Sequence, residues 1–558
     1  MMLSGAQIVI EELVAQGVNT VFGYPGGNVI DIYDELYKNS NRLRHILTAH
    51  EQGAAHAADA YARISGRASA VIATSGPGAT NLVTGIANAY LDSIPVVFIT
   101  GNVPVSMLGR DSFQEIDVLG LTLPIVKHSY VVRNVAQLSD TLREAFRIAS
   151  SGRKGPVLVD IPKCVQTDTW EWTAKSDILV DIKDGKAPIT AMEEDDINFQ
   201  RAIETIEKSQ RPFIYSGGGV SAARAGDMVV ELSKLINAPV GLSLMGLGSI
   251  PHSYELNLGM SGMQGRYASN MAKAESDLII ALGVRFSDRA TCNIETYAKN
   301  ATIIHVEIDA AEIGKNVVAD IGLWGDINDI LPKLIKNLKA KKNEQWLNRI
   351  NELVSIGTVP SGNDFTAKNI IERINNHCDD DTIIATDVGQ HQMWVAQNYR
   401  FEKPRKLVTS GGLGAMGFGL GAAIGASLAS GGKRVVLFTG DGSFGMNLIE
   451  LATAVSYEIP ITIVIMNNST LGMVRQMQTQ FYSERYSQTT LNRKTDFSAL
   501  AKAFGASGYK ADDLSQLDTI LAGIQGSGVH VIDCIINIDE KVLPYIPLDG
   551  GIEDMLME

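Results

Sequence analysis

The amino-acid sequence predicts an α/β protein made of three doubly wound parallel-sheet domains. Short apolar runs alternate with amphipathic helical stretches along the whole chain, a pattern typical of parallel sheets covered by helices. The chain has 558 residues, which at roughly 100–200 residues per domain is enough for about three or four domains. Hydrophobic residues make up 45% and charged residues 20%, which are ordinary values for a globular protein.

Two kinds of pattern identify the individual elements. Apolar residues three and four positions apart predict helices, and short continuous apolar runs predict strands that are buried on both faces. In chain order the predicted elements are a helix at 5–16, strands at 70–74 and 96–100, a helix at 135–150, a strand at 157–161, a helix at 198–208, and strands at 277–282, 302–308, 434–439 and 461–466.

Two polar stretches divide the chain. Residues 166–194 carry scattered charges and an Asp184-Gly185 turn, and residues 339–365 are typical of a charged helix followed by a loop. Cutting there predicts domains at 1–170, 190–345 and 364–558. The first and third pieces could share a fold, because both alternate strands with helices over a similar length.

Composition excludes several classes of function. Lys and Arg total 48 against 62 Asp and Glu, a net charge of −14, and this disfavours nucleic-acid binding because that usually needs a cationic face. Four cysteines lie far apart without a CxxC pair, which favours a reducing, cytoplasmic compartment over a disulfide scaffold or a zinc site. They are Cys164, Cys292, Cys378 and Cys534.

No targeting or membrane segment is expected. The first residues lack the charged start and the apolar run of a signal peptide. Residues 407–432 carry no charge over 26 positions, long enough to span a bilayer, but nine of them are glycine. We therefore expect a tightly packed segment of a soluble protein there, and no membrane partner.

The strongest local signal for chemistry lies in the last third of the chain. The strand at 434–439 runs into Gly440-Asp441-Gly442-Ser443, a helix is predicted at about 446–457, and the next strand ends at Asn468. A glycine-rich turn before a helix favours a phosphate, and a carboxylate with an amide oxygen suits Mg²⁺. Asp441 alone is better explained by a plain Asp-Gly turn, but Asn468 follows 27 residues later at the same sheet edge, and the two together favour the metal site.

That spacing resembles the thiamine-diphosphate signature, and matching segments run through the chain. They are similar to catalytic subunits of the acetohydroxyacid (acetolactate) synthase family, and lie at 21–27, 50–54, 74–81, 113–115, 155–163, 387–392 and 471–476. The resemblance implies a pyrimidine-binding domain, a central FAD-binding domain and a diphosphate-binding domain. It also implies thiamine diphosphate, Mg²⁺ and FAD as cofactors, and a place in branched-chain amino acid biosynthesis.

The resemblance gives Glu51 the central catalytic role. The family's glutamate at this position hydrogen-bonds the thiamine pyrimidine and does acid–base work there. A structural alternative is a capping box over residues 48–51, in which Glu51 closes a helix start.

The diphosphate-binding domain carries the other thiamine-site residues that the resemblance implies. The metal ligands are Asp441, Asn468 and the backbone oxygen of Thr470. Met416 corresponds to a bulky residue that wedges under the cofactor, although a lone methionine is more often a core residue. The remaining cofactor contacts are Gly389, Gln390, His391, Gly414, Gly442, Ser443 and Met473.

The central domain carries the implied flavin site. A glycine run at 217–219 follows the strand-like residues 212–216, as in a dinucleotide-binding turn, whereas the similar pattern at 412–417 resembles the thiamine-site loop. The residues implied to bind FAD are Arg153, Gly217, Gly218, Gly219, Gly283, Arg285, Glu307, Ile308 and Asp326.

Substrate residues follow from the same resemblance. Gln114, Lys163 and Arg289 match catalytic positions, with a surface ion pair to Asp288 as the structural alternative for Arg289. The substrate pocket is expected to contain Gly27, Phe113, Val474 and Met477. An apolar core position is the default interpretation of Phe113.

Four positions depart from the family pattern. Met477 replaces a tryptophan that shapes the acceptor pocket, and a smaller, flexible side chain should widen that pocket. Ser287 replaces an aspartate, Val105 an arginine and Gly421 a proline. Several of these changes are expected to lie where acceptor and flavin bind.

The leading interpretation is a carboligase that decarboxylates pyruvate and transfers the two-carbon unit to a second 2-ketoacid, giving 2-acetolactate or 2-aceto-2-hydroxybutyrate. Alternatives are a carboligase for a bulkier ketone such as a nucleotide-linked ketosugar, a flavin oxidoreductase resembling pyruvate oxidase, and an acyl-CoA relative. A non-enzymatic protein is disfavoured by Glu51, Asp441 and Asn468 together. Family active sites form between two chains, which implies a homodimer or homotetramer, with a small regulatory subunit as a further partner.

Overall fold

Three six-stranded parallel sheets form the framework of the protein, whose computed structural model describes residues 1–174, 193–357, 362–524 and 528–557. Helices connect the strands and enclose each sheet. The α/β class predicted from the sequence is confirmed. In these residues, no helix combines the length and the apolar character that crossing a membrane requires.

The first sheet has the strand order β3-β2-β4-β5-β7-β6, and a small antiparallel pair of β1 with β8 joins the two ends of this region. The strands of this region, including the separate pair, are β1 Met2–Ser4, β2 Thr20–Tyr24, β3 Arg44–Leu47, β4 Ser69–Ala73, β5 Val96–Asn102, β6 His128–Val131, β7 Val157–Pro162 and β8 Thr169–Glu171. Its helices are α1 Gly5–Ala15, α2 Ile30–Lys38, α3 Glu51–Ser65, α4 Pro77–Thr80, α5 Val83–Leu91, α6 Val118–Thr122, α7 Val135–Ser150 and α8 Lys163–Thr167.

The central sheet has the order β11-β10-β9-β12-β13-β14, the dinucleotide-binding arrangement in which the strand order reverses between β9 and β12. Its strands are β9 Pro212–Ser216, β10 Val240–Leu242, β11 Asn257–Met260, β12 Leu278–Leu282, β13 Thr302–Glu307 and β14 Ile321–Trp324. Its helices are α9 Glu193–Lys208, α10 Gly218–Ala223, α11 Gly226–Ile236, α12 Tyr267–Glu275, α13 Asp288–Thr291, α14 Ile327–Asn337 and α15 Glu344–Gly357.

The third sheet has the order β16-β15-β17-β18-β20-β19. This is the order of the first sheet, so the first and last parts of the chain share one topology. Its strands are β15 Ile383–Thr386, β16 Leu407–Val408, β17 Val435–Gly440, β18 Ile461–Asn467, β19 Ser507–Ala511 and β20 Val529–Ile535. Its helices are α16 Ala367–His377, α17 Gln390–Asn398, α18 Phe418–Ala429, α19 Asp441–Asn447, α20 Leu451–Ser456, α21 Gly472–Phe481, α22 Phe497–Ala503 and α23 Leu514–Gly523.

Local sequence explains most of these elements. Every residue of β7 is buried, as expected for a strand covered on both faces. Helix α7 buries Val135, Leu138, Leu142, Ala145, Phe146 and Ala149, residues spaced by three and four along one face. The helix predicted at about 446–457 is wrong at its start. Helix α19 begins at Asp441, because the Ser443 hydroxyl accepts the Gly440 N–H at 3.2 Å, and a 3₁₀ turn separates α19 from α20.

The two polar stretches lie partly within the described residues. The stretch 166–194 contains β8, and residues 175–192 lie outside the described part of the chain. The stretch 339–365 contains the predicted helix as α15, and residues 358–361 also lie outside the described part.

Helices α3 and α18 cross at very close range and join the first sheet region to the third. A methyl group on Gly421 would lie 2.9 Å from the carbonyl oxygen of Gly53, and one on Gly425 would overlap the carbonyl oxygen of Ala57. Residues 418–427 of α18 are all buried. The glycines of the uncharged stretch 407–432 therefore allow two helix backbones to touch.

Gly425→Ala should destabilise the protein by about 1–3 kcal/mol, because the added methyl group has no space at the α3–α18 crossing. The midpoint of urea unfolding measures this effect. Gly523→Ala is the matched control, since among the described residues beyond its own chain neighbours no atom lies within 4 Å of its added methyl group, and alanine favours the helix. Equal stability of the two variants would contradict the packing argument.

Candidate active site

The carboxyl ends of β15, β17 and β18 bring the predicted metal and diphosphate residues to one edge of the third sheet. Asn468 donates its amide N–H to Oε1 of Gln390 at 3.1 Å, and its Oδ1 accepts the N–H of Thr470 at 3.3 Å. The Thr470 hydroxyl donates to the carbonyl of Thr489 at 2.8 Å, which holds the Thr470 main chain in place. Asp441 begins α19 beside this group and is buried.

Asp441 sits in a poorly solvated position. Burial raises the pKa of its carboxyl group to about 6, and the nearby Asp533 adds to this, while the N–H groups of Asp441 and Gly442 act in the opposite direction. The contacts of this carboxylate do not fully replace the hydration that it loses on burial. A divalent cation at this carboxylate would supply the missing charge.

His391 is buried at the start of α17, and its Nε2 has no hydrogen-bond partner among the described residues. Burial lowers the pKa of this imidazole to about 3, so it is neutral at physiological pH. A Cβ atom on Gly389 would lie 2.8 Å from Cε1 of His391, and one on Gly440 would lie 3.0 Å from its Nδ1. The glycines thus lie against the Cε1 and Nδ1 side of the ring, and the unpartnered Nε2 is available to a bound diphosphate.

The turn at Gly442 is also tightly packed. A Cβ atom there would lie 2.8 Å from Cδ2 of Leu471 and 3.9 Å from Cε of Met416. The half-buried Met416 therefore reaches the glycine turn that the sequence assigns to the diphosphate. Ser443 uses its hydroxyl to accept the Gly440 N–H, so it supports the turn directly.

Asp387 is a residue of this edge whose role was not predicted. Its carboxylate accepts N–H groups of Val388 and Gly417, both at 2.8 Å, and of Gly419 at 3.2 Å. It ties the end of β15 to the start of α18, although burial raises its pKa to about 6. The motif 387–392 shows that an acid is present, but the bonds to Gly417 and Gly419 span about thirty residues and leave no local pattern.

The carboxyl edge of the first sheet holds Glu51. Its Oε2 accepts a hydrogen bond from the side-chain amide of Asn81 at 3.0 Å, and a Cβ atom on Gly78 would lie 3.4 Å from its Oε1. Helix α3 begins at Glu51 with His50 as N-cap, whose Nδ1 accepts the Gln52 N–H at 3.1 Å. The capping-box interpretation of residues 48–51 is therefore wrong.

Two further predicted residues lie on the first region. Lys163 donates from Nζ to the carbonyl of Gly27 at 3.2 Å and pairs with Asp31 at 2.5 Å. Gln114 packs against the glycine turn after β4, because a Cβ atom on Gly76 would lie 2.9 Å from the Gln114 Cα atom.

Two predicted pocket residues face solvent in the single chain. Phe113 is 88% exposed, so its default assignment to an apolar core is wrong. Val474 is 47% exposed. Both side chains are available to a partner surface, and neither lines the large cavity described next.

A cavity of about 2270 Å³ opens between the three sheet regions and collects most of the other predicted residues. Among the described residues, neither Glu51 nor Asp441 lines it. The predicted residues on its wall are Arg153, Gly218, Gly219, Gly283, Arg285, Arg289, Glu307, Ile308, Asp326, Gly414, Met473 and Met477.

The floor of the cavity is a glycine contact at the point where the central strand order reverses. A Cβ atom on Gly219 would lie 2.7 Å from Cα of Gly283, and one on Gly217 would overlap the Gly283 carbonyl. Gly283 has φ +58°, a backbone conformation that favours glycine. The backbone is therefore bare where a dinucleotide would approach it.

Two acidic side chains lie at the carboxyl ends of the adjoining strands β13 and β14. Glu307 accepts the N–H groups of Ile308 and Asp309 at 2.9 and 3.3 Å, and burial raises its pKa. Asp326 caps α14 by accepting the Asn328 N–H at 2.8 Å. Both residues lie on the cavity wall, so the predicted flavin residues other than Gly217 form one surface.

Two of the three arginines predicted to contact ligands, Arg153 and Arg289, differ in their partners. Arg153 donates to Glu312 at 2.7 Å and to Asp309 at 3.2 Å, so it is held in place. Arg289 approaches Asp288 only to 3.7 Å, and both side chains are more than half exposed. The alternative ion pair of Arg289 is thus present, but exposed pairs of this kind contribute about 0–1 kcal/mol and leave the guanidinium available to a ligand.

The four departures from the family pattern do not all lie together. Met477 and Ser287 line the cavity. Gly421 lies at the α3–α18 crossing, and Val105 donates its N–H to the sulfur of Cys164. Two of the four changes thus lie on the cavity wall, and the expectation that several of them lie where acceptor and flavin bind stays a prediction that rests on Met477 and Ser287.

Comparison with known proteins agrees with this architecture. The family model for the N-terminal thiamine pyrophosphate-binding domain matches residues 3–121, the model for the central domain matches 199–334, and the model for the C-terminal thiamine pyrophosphate-binding domain matches 387–534. The fold and its two polar sheet edges thus define a thiamine diphosphate-dependent enzyme, and the predicted cofactor class is confirmed.

Relatives that match over nearly their full length identify the family within this class of enzymes. The chain is 44% identical to the probable acetolactate synthase large subunit of Methanocaldococcus jannaschii over 99% of its own length and 95% of the relative. It is 43% identical to the acetolactate synthase isozyme 2 large subunit of Escherichia coli K12, covering 99% of each, and 42% identical to the large subunit of Lactococcus lactis, covering 99% and 96%. The chain belongs to the family of acetolactate synthase large subunits.

Asp441→Asn should weaken thiamine diphosphate binding in the presence of Mg²⁺ by about 10–100-fold, because removing a charged ligand leaves the cation under-compensated. Equilibrium dialysis of the cofactor measures this affinity. Asp518→Asn is the control, since Asp518 is an exposed acid that pairs with Arg373 at 3.1 Å, away from this sheet edge. Unchanged affinity in Asp441→Asn would exclude a ligand role.

Proposed function

We propose that this chain is the catalytic subunit of a carboligase that decarboxylates pyruvate and joins the two-carbon unit to a second 2-ketoacid. The product is 2-acetolactate from two pyruvates, or 2-aceto-2-hydroxybutyrate when 2-ketobutyrate is the acceptor. The observation that carries this proposal is full-length similarity to acetolactate synthase large subunits in a chain that retains both polar sheet edges.

Glu51 is the acid–base group in this proposal. Thiamine diphosphate, when bound, supplies the carbanion chemistry that breaks and forms the carbon–carbon bonds. Glu51 lies buried with one oxygen bonded to Asn81 and the other beside Gly78, so its carboxyl group is aimed and shielded from bulk water. From that position it holds and moves a proton at the pyrimidine ring of the cofactor.

The third sheet edge binds the charged end of the cofactor. Asp441, Asn468 and the Thr470 carbonyl would hold Mg²⁺, whose preferred ligands are oxygens. His391 would place its unpartnered Nε2 at a diphosphate oxygen, where the negative charge favours the protonated ring that can donate from both nitrogens. The other diphosphate contacts are Gly389, Gln390, Gly442 and Ser443.

The large cavity is the flavin site in this proposal. Bare backbone at residues 217–219 and 283 suits a diphosphate, and Glu307 and Asp326 are placed to accept hydrogen bonds from a nucleotide. Arg153 and Arg285 add positive charge to the same wall. FAD would bind along this wall.

Substrate binding would combine residues of the cavity wall with residues of the first sheet region. Arg289 is free enough to bind the carboxylate of the acceptor, and Met477 lies four residues after Met473 on the cavity-facing side of α21. Gln114, Lys163, Gly27, Phe113 and Val474 belong to the first edge or to exposed surfaces, so a second chain is needed to bring them to the acceptor.

We infer a homodimer or homotetramer for this reason. Phe113 at 88% exposure, Leu123 at 68% and Met446 at 63% are apolar side chains left open in the single chain. Since relatives are named large subunits, a small regulatory subunit is a further partner. The cytoplasmic location, the absence of nucleic-acid and membrane partners, and the domain limits stay predictions.

The two alternative activities would use the cavity differently. A bulkier ketone acceptor would use the space that Met477 leaves, and a flavin oxidoreductase would pass electrons from pyruvate to FAD. The relatives reported above are all acetolactate synthases by name, which favours the 2-ketoacid acceptor. Bleaching of bound flavin by pyruvate without oxygen would identify the oxidase instead.

Pyruvate incubated with the purified chain, thiamine diphosphate, Mg²⁺ and FAD should give 2-acetolactate, identified by mass spectrometry. Glu51→Gln should keep the melting temperature and reduce turnover by about 10²–10⁴-fold, because it removes the acid–base group and preserves shape. Glu204→Gln, an exposed change on α9, is the control. Absence of 2-acetolactate from the unaltered protein, or normal turnover of Glu51→Gln, would refute the proposal.

Met477→Trp should shift acceptor preference toward 2-ketobutyrate by about 10–200-fold, because one pocket contact is worth roughly 1–3 kcal/mol. Products from a mixture of pyruvate and 2-ketobutyrate are quantified for both proteins. Phe481→Trp, a change at a half-exposed residue of the same helix that does not line the cavity, is the control. If Met477 only packs α21, the product ratio will not change.

A further inference from the structure

Three cations from the three sheet regions meet on the wall of the large cavity. Lys154 precedes β7, Arg224 follows α10, and Arg405 precedes β16, and all three line the cavity. We call them the basic cluster. None of the three was among the residues that the sequence pointed to.

The two arginines of the basic cluster lie side by side. A methyl group placed on Gly66 would lie 3.3 Å from Nη2 of Arg224 and 3.4 Å from Cζ of Arg405. Arg405 donates to the carbonyl oxygens of Ala222 at 3.1 Å and Arg63 at 3.4 Å. Its guanidinium is therefore fixed at the junction of the regions by backbone contacts.

The positive charge of the basic cluster is not neutralised. Within the described ranges, none of its members forms an ion pair, whereas the neighbouring Arg63 is held by Asp59 and Asp92 at 2.5 and 2.8 Å. Burial, followed by the charges of Arg405 and Arg224, lowers the pKa of Lys154, and only Asp326 opposes this. Burial and Arg224 likewise lower the pKa of Arg405.

Like charges held together at reduced solvation are costly unless an anion joins them. The glycine turn proposed for the flavin diphosphate lies at the opposite end of α10, a six-residue helix about 9 Å long. The basic cluster is therefore separate from that turn. Arginine guanidinium groups and a lysine ammonium are the side chains that most often bind phosphate.

We propose that the basic cluster is a second anion site that binds a phosphate group and thereby fastens the three sheet regions to one another. The phosphate is either free inorganic phosphate or the phosphate ester of a nucleotide. This site goes beyond the proposed carboligase function and does not depend on it.

Thermal unfolding of the holoenzyme, with thiamine diphosphate, excess Mg²⁺ and FAD bound, tests the site. Inorganic phosphate replaces chloride at constant ionic strength, and the melting temperature should rise saturably by about 1–3 °C, as for a ligand that binds only the folded state. Arg224→Gln and Lys154→Met should each abolish the rise. Lys502→Gln, which removes one positive charge from exposed α22, should retain it.

Further measurements identify the source of the phosphate and show which results would contradict the proposal. Stabilisation by adenosine monophosphate at lower concentration than inorganic phosphate, lost in Arg224→Gln, indicates a nucleotide ester. A rise confined to flavin-free protein shows that the cluster holds phosphates of the dinucleotide itself, and the separate site is then wrong. An equal, unsaturable rise in all variants, or no rise, also overturns it. Turnover is not the readout, so these results are independent of the carboligase test.

Discussion

The crossing of α3 and α18 at glycine is the constraint on which both halves of the candidate active site depend. Helix α3 starts at Glu51, and α18 starts at the glycine turn held by Asp387. Because the two backbones touch at Gly421 and Gly425, neither helix can shift without moving a catalytic edge. Glu450 strengthens the same junction by accepting the N–H groups that precede Glu51.

The residues of the third sheet edge share a second feature, which is that their buried polar groups lack full replacement of the hydration they have lost. Burial raises the pKa of the Asp441 carboxyl group, and Nε2 of His391 has no partner in the part of the chain that the structure describes. Such groups cost stability until a ligand satisfies them, which is how a site binds a charged cofactor strongly. The paired Arg63 and its acids show the opposite arrangement, in which burial serves structure.

The three sheets divide the work between them. The first and third have one strand order and present Glu51 and Asp441 at their carboxyl edges, whereas the central sheet has the dinucleotide-binding order. The cavity lies where the three regions meet, so its wall combines glycine turns of the central sheet with α21 of the third. Ligands that occupy this cavity therefore act on the packing of all three regions.

The sequence by itself determined the α/β class, the positions of the buried strands, and the placement of Asp441 and Asn468 after two of them. These features depend on short-range patterns, because apolar periodicity sets each strand and the chain direction sets which end carries the ligand edge. Resemblance to the family then supplied the roles of Glu51 and the cavity residues. Most of the cavity residues do meet on one wall.

Only the tertiary structure decided the partners of these residues. The Asn81 contact with Glu51 spans 30 residues, and the bond from the His50 N–H to Glu450 spans 400. The exposure of Phe113, the packing role of Gly421 and the meeting of Lys154 with Arg224 and Arg405 depend on which distant segments the sheets bring together. A local sequence pattern does not identify such neighbours, since packing between domains brings them together.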